Sequence, residues 1–255
     1  MKVRTLFTAF AVAVGAAFAT AAGAAAAPAT DGEVIPFVVG GGNATQTYSF
    51  MVSLQSTSGS HFCGGSLIKA NWVVTAKHCV QGRSASSIRA RIGSTSRTSG
   101  GTVASGAQIV TNSSYDIALV RLATSVSQTP IAVASTSGAV GTATRIIGWG
   151  QTCAPRGCGG APVTLQELNT SIVSDGSCTG IYGTYEICTS NPGGNAGACY
   201  GDSGGPQIKS VNGVWQLIGA TSRAGNNNST CATGPSIYMD VPAFRSWIGQ
   251  YAGAV

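Results

Sequence analysis

Beyond residue 38 the chain alternates short apolar runs with stretches rich in Gly, Ser and Thr, a pattern that predicts many short strands joined by turns. Two runs stand out. Trp72-Val73-Val74-Thr75 reads as a strand ending in a turn that carries His78 and Cys79, and Ile117-Ala118-Leu119-Val120 reads as a strand opened by Asp116. Near the C-terminus the period changes: Phe244, Trp247, Ile248 and Tyr251 follow helical spacing, with Asp240 placed as N-cap and Pro242 in the first turn. One amphipathic closing helix is predicted there.

The N-terminal pattern is of another kind. A basic head (Met1 to Arg4) precedes an apolar stretch from Leu6 to about Phe18 and small residues from Thr20 to Ala27. This predicts a secretory signal peptide over 1–27, cleaved at about 21–26; a cut after Ala27 would put Pro28 just past the scissile bond. A transmembrane anchor is the competing reading, but the stretch is mostly alanine and its strongly apolar part is short. Residues 28–37 lack any periodic apolar pattern and are read as a short propeptide, leaving 38–255 as the mature domain in two halves, roughly 38–130 and 131–255.

Composition narrows the class. Of 255 residues, 44% are hydrophobic and 9% charged, which excludes a disordered polyelectrolyte and allows a sizeable core. The net charge of +6 raises a nucleic-acid partner, but the basic residues are scattered. Arg89, Arg91 and Arg97 come closest to a cluster and are read as a solvated strand and loop, so no nucleic acid is expected. Eight cysteines in an exported chain predict four disulfides, with the pairing left open by counting.

The strongest chemical signal is Gly201-Asp202-Ser203-Gly204-Gly205-Pro206, preceded by Cys199 and Tyr200. Flanking glycines free the backbone to present the Ser203 hydroxyl and to converge neighbouring N–H groups on one point. Gly201, Ser203 and Gly205 also satisfy the looser G-x-S-x-G pattern of α/β-hydrolases, so the partners decide. A serine needs a base, and the only histidines, His61 and His78, both precede Ser203. An α/β-hydrolase needs its histidine after the serine; a subtilisin-like order needs an aspartate before the histidine, and only Asp31 in the pro-segment stands there. The order left is His, Asp, Ser. Among Asp116, Glu167, Asp175, Glu186 and Asp202, only Asp116 opens an apolar run, where a carboxylate requires a hydrogen-bonding partner that His78 supplies.

With Val38-Val39-Gly40-Gly41, His61 to Ile68, Thr75 to Cys79, Asp116 to Leu122, Gly148-Trp149-Gly150, Gly201 to Pro206 and Trp247-Ile248, the chain resembles the secreted serine proteases of the trypsin and chymotrypsin family from Val38 onward. The resemblance implies an all-β fold of two antiparallel Greek-key β-barrels with a C-terminal α-helix and the site between the barrels. It implies catalysis by His78, Asp116 and Ser203, an oxyanion hole from the N–H groups of Gly201 and Ser203, and His61 in a structural role. Activation would follow a cut between Phe37 and Val38, the new amino group pairing with Asp202. Disulfides Cys63–Cys79, Cys178–Cys188 and Cys199–Cys231 are implied, leaving Cys153 with Cys158; zinc at the latter pair lacks further ligands. Neither cofactor nor metal is expected, and Arg83 to Asn112 contains no carboxylate for the family's calcium loop. Partners would be protein or peptide substrates and protein protease inhibitors, for a monomer without stable membrane association.

For the pocket, the resemblance points to Gly197, Ala198, Tyr200, Ser222, Ala224 and Ser236. In the trypsin-like branch a carboxylate at the position of Gly197 selects Arg and Lys; here none stands there. Large apolar or aromatic residues are the expected preference, and Phe37 before the activation site fits self-processing. Ala224 and Ser236, with Arg223 where an aromatic is common, keep a narrower, elastase-like pocket as the alternative. Lys77 beside His78 is another departure from the family. A catalytically silent binding protein is the alternative of a different class, although all three triad residues are present.

Overall fold

A computed structural model describes residues 38–255 and Met1; the predicted signal peptide and propeptide, apart from Met1, lie outside the described residues. Strand β1 (Gly42–Asn43) is followed by six strands that close into an antiparallel barrel: β2 (Met51–Gln55), β3 (His61–Lys69), β4 (Trp72–Thr75), β5 (Arg89–Ile92), β6 (Thr102–Thr111) and β7 (Ala118–Leu122). Their order around the barrel is β2-β3-β4-β7-β6-β5. The local patterns explain the strands. In β5 the side chains alternate, Arg89 and Arg91 outward and Ala90 and Ile92 buried, the period of two that a sheet with one wet face requires. In β4 all four residues are buried, because both faces meet other elements. Burying each of Val73, Val74, Leu119 and Val120 contributes on the order of 2 kcal/mol.

The second half forms one seven-stranded antiparallel sheet from β8 (Ala143–Gly148), β9 (Gln166–Ser171), β10 (Glu186–Thr189), β11 (Pro206–Val211), β12 (Val214–Ala224), β13 (Ser236–Asp240) and β1, in the order β1-β9-β8-β11-β12-β13-β10. It curls toward closure: beyond β9, Ile172 bridges Thr189 of β10. The fold is therefore mostly β, a closed barrel with a curled sheet, ending in a short helix as expected.

The two halves exchange their ends. Gly42 and Asn43, early in the chain, pair with Glu167 and Gln166 of the second sheet. At the other end Phe244 and Ile248 join the core that contains the barrel, with Phe244 edge-on to Tyr115 at 5.4 Å. The closing helix differs in detail from its sequence signature. A 3-10 turn occupies Val241–Phe244, and α2 begins only at Arg245, running Arg245–Ala252. Asp240 stands at the N-cap position of the 3-10 turn, with Pro242 in that turn, and its carboxylate accepts the Ser137 hydroxyl at 2.9 Å, a long-range partner no local pattern reveals.

Candidate active site

His78 lies on a one-turn helix, α1 (Lys77–Val80), at the end of β4, and Asp116 stands just before β7. Because β4 and β7 are paired neighbours, with Thr75 opposite Ala118, these two ends arrive together. The Lys77 N–H donates to the Asp116 carbonyl, the His78 backbone N–H donates to Asp116 Oδ1 at 2.9 Å, and His78 Nδ1 meets Oδ2 at 2.8 Å. A carboxylate accepts only, so Nδ1 carries the proton and Nε2 is left with a free lone pair. The Ser222 hydroxyl donates to the same Oδ2 at 2.7 Å. Burial alone would raise the Asp116 carboxyl, but the His78 hydrogen bond and charge, with Ser222, outweigh it and hold it below the ordinary carboxylate value.

Ser203 sits in the turn before β11. Its carbonyl accepts the Gly64 N–H at 2.8 Å, which ties the turn to the barrel, and it lines the same cavity as His78, of about 720 Å³. Among the described residues no hydrogen bond joins the Ser203 hydroxyl to the His78 ring. Nearby stand two unengaged donors. Neither the Gly201 nor the Ser203 N–H has an acceptor among the described residues. Their direction follows from peptide planarity, since N–H and C=O of a trans peptide point opposite ways. The Tyr200 carbonyl accepts from Gln151 N–H at 2.7 Å and the Asp202 carbonyl from Gly205 N–H at 2.8 Å, so both N–H groups are turned from those contacts. Gly201 holds φ +100°, a conformation that favours glycine.

Asp202 points the other way. It is buried, accepting Gly150 N–H at 2.8 Å and Cys199 N–H at 2.9 Å. Burial pushes it up to about 6 against those two donors. A Cβ at Gly150 would collide with this carboxylate, which accounts for the glycine beside Trp149. Val38 is buried as well and shares a small void with Asp202, Ile146 and Tyr238. Phe37 lies outside the described residues.

His61 is not free to act as a base. Its Nε2 lies 3.0 Å from the Gly201 carbonyl and so carries a proton, while Nδ1 pairs with the Ser53 hydroxyl at 2.8 Å. Burial lowers it to about 4, so the ring is neutral.

Disulfides join Cys63 to Cys79, Cys153 to Cys158, Cys178 to Cys188 and Cys199 to Cys231. The first braces α1 against β3. Its sulfurs lie near His78, but as a disulfide they offer no thiolate to a metal.

Of the residues expected at the pocket, Ala198, Tyr200, Ser222, Ala224 and Ser236 face the cavity. Gly197 does not; its N–H is held by the Val39 carbonyl at 2.8 Å, one layer behind, although a Cβ there would point at the Ser236 hydroxyl 3.7 Å away. Among the described residues no carboxylate lines the cavity. Two features had no signal in the sequence: the Ser222 hydroxyl on Asp116, spanning 106 positions, and Phe62 with Arg83 on the barrel wall.

Comparison with known proteins gives the same picture. Residues 38–248 match the family model described as Trypsin. The chain is 38% identical to Trypsin alpha of Drosophila erecta over 88% of this chain and 90% of the relative, and 35% identical to Trypsin of Sarcophaga bullata over 84% and 89%. It is 33% identical to Trypsin alpha-4 of Lucilia cuprina over the full length of both. With that match across the barrel, the sheet and the cavity between them, the chain belongs to the trypsin family of serine endopeptidases.

Proposed function

We propose that the protein is a secreted endopeptidase in which Ser203 attacks the peptide carbonyl, His78 takes its proton through Nε2, and Asp116 holds the imidazole and stabilises the imidazolium. The observation that carries this reading is the two-point hold of Asp116 on His78, through the backbone N–H and Nδ1, beside Ser203 in one cavity. The missing Ser203–His78 hydrogen bond is consistent with it, since such contacts tighten when substrate binds. Charge developing on the carbonyl oxygen is met by the unengaged N–H groups of Gly201 and Ser203, each worth about 2.7–4 kcal/mol in sites of this kind. His78 then returns the proton to the leaving amine, and water releases the acyl group from Ser203. No cofactor enters these steps.

In our reading the primary pocket takes apolar side chains, large ones first, since Ala198, Ala224 and Ser236 line it without a carboxylate. The relatives are named trypsins, and a basic side chain in this pocket would lack a counter-charge. The Ala224 methyl favours a second reading, small apolar residues.

The signal peptide over 1–27, the propeptide over 28–37 and activation between Phe37 and Val38 belong to the same proposal. A free Val38 amino group beside buried Asp202 would give that carboxylate the partner its burial demands, and would couple cleavage to the Gly201–Ser203 turn.

Treatment of the processed protein with a serine-directed phosphonate tests the mechanism. Labelling at Ser203, lost in Ser203→Ala and His78→Ala, is expected; no labelling of the processed protein would leave a binding protein without hydrolysis. Peptide-library profiling tests the pocket, and cuts after Arg or Lys would overturn the apolar assignment.

A further inference from the structure

Charge is divided unevenly between the halves. Residues 38–130 carry seven Lys and Arg against one carboxylate, Asp116, while residues 131–255 carry five of each sign. The whole net charge of +6 therefore rests on the first barrel, whose single carboxylate is already occupied by His78 and Ser222.

Among the described residues Arg83 and Arg223 are the cations that line the cavity, and they differ. Arg223 on the second-sheet wall is neutralised by Glu186, with Nη1 and Nη2 at 2.6 and 2.9 Å from its carboxylate oxygens. Arg83 on the barrel wall has no carboxylate partner among the described residues. Its guanidinium lies 4.0 Å over the Phe62 ring and its Nε donates to the Cys79 carbonyl at 3.0 Å. Those contacts fix the plane of the group. Among the described residues its two terminal nitrogens have no acceptor, and the side chain is exposed. A planar, stacked guanidinium with both outer nitrogens free is a ready-made receptor for a carboxylate.

We propose that Arg83 and Phe62 form a carboxylate-binding subsite for an Asp or Glu of the substrate on the leaving-group side of the scissile bond. This rests on the catalytic reading above. The side chain before the scissile bond enters the pocket of Ala198, Ala224 and Ser236 on the second-sheet wall, and Ser203 marks the bond itself. The chain beyond that bond leaves past His78, which protonates its amine, and so runs over the barrel wall where Phe62 and Arg83 stand. The unbalanced charge of the barrel adds a longer-range attraction that favours acidic proteins as substrates.

Two internally quenched peptides test this, identical except for Glu or Gln at the two positions after the scissile bond. The processed enzyme is expected to cleave the Glu peptide with kcat/KM higher by about 3-fold at low salt, the size of one exposed charge pair. The preference should fade between about 0.01 and 1 M salt as the screening length falls from about 30 Å to about 3 Å. Arg83→Gln should abolish it, and Arg83→Lys, which keeps charge but loses the planar stack, should restore part. Arg121→Gln removes the same charge from an exposed position of β7 outside the cavity and should leave most of the preference intact. Equal cleavage of the two peptides by the wild-type enzyme, or equal losses in Arg83→Gln and Arg121→Gln, would overturn the subsite while leaving the protease intact. Failure to cleave either peptide, together with no phosphonate labelling, would overturn the catalytic reading itself and the subsite with it.

Discussion

Arg223 and Glu186, 37 residues apart, form a two-pronged ion pair at the cavity wall, in which the carboxylate side chain is 3% exposed and the guanidinium side chain 36%. Arg223 also donates to the Gly180 carbonyl at 2.8 Å, so its charge is turned away from an incoming substrate. Glu186 is the more dependent partner. Arg223→Gln would leave a buried carboxylate without its cation, and a stability loss of about 3 kcal/mol is expected, read as a lower urea midpoint. Arg223→Lys should recover less than half, because an ammonium cannot bridge both oxygens. An unchanged midpoint in Arg223→Gln would show that the pair contributes nothing net.

The hold on His78 has two components of different size. Asp116→Asn can present its amide to Nδ1 and reverse the tautomer, so kcat should fall about 10⁴-fold, the size known for triads of this type. Ser222→Ala removes one hydroxyl from Oδ2 and should lower kcat only about 5-fold, the equivalent of about 1 kcal/mol. Steady-state kinetics on one ester substrate separates the two; a Ser222→Ala effect as large as that of Asp116→Asn would mean the serine sets the geometry alone.

A carboxylate can be introduced behind the pocket. At Gly197 a Cβ meets only ordinary contacts, with Ser236 Oγ at 3.7 Å and Ala232 Cα at 3.9 Å, so the first carbon of the Gly197→Asp side chain meets no close contact. The variant is expected to gain about 10-fold or more in selectivity for Arg and Lys over apolar residues, corresponding to one charge-assisted contact of about 1.5 kcal/mol. Peptide-library cleavage reads this out, and an unaltered profile would place Gly197 beyond reach of the substrate.

Two buried groups on either side of Gly201 oppose one another in their pH dependence. His61 falls from 6.5 to about 4 on folding, so between those values the unfolded chain binds more protons and stability rises with pH, by about 3 kcal/mol in all. Asp202 rises from 3.8 to about 6, so over nearly the same window the folded chain binds more protons and stability falls with pH, by about 3 kcal/mol. The uncleaved chain carrying Ser203→Ala should therefore show a nearly flat urea midpoint from pH 4 to 6. Adding His61→Gln should expose the Asp202 limb as a midpoint that declines with rising pH. A midpoint that instead climbs in the double variant would contradict the assignment of the buried carboxylate.

What was legible in the sequence follows from local chemistry and order along the chain. The glycine-flanked Ser203, the strand ends at His78 and Asp116, and the absence of a histidine after Ser203 suggest the proposed chemistry without coordinates, because each depends on residue type and neighbours. The strand-rich pattern is legible for the same reason. The tertiary structure alone decided which distant groups meet. The Asp240 carboxylate takes up Ser137, Ser222 reaches Asp116 across 106 positions, Arg223 is drawn off by Glu186, and Gly197 stands behind the cavity surface. A side chain's reach is a few ångströms, so its partner is set by how the barrel and sheet bring separated strand ends together, and spacing along one chain does not encode that.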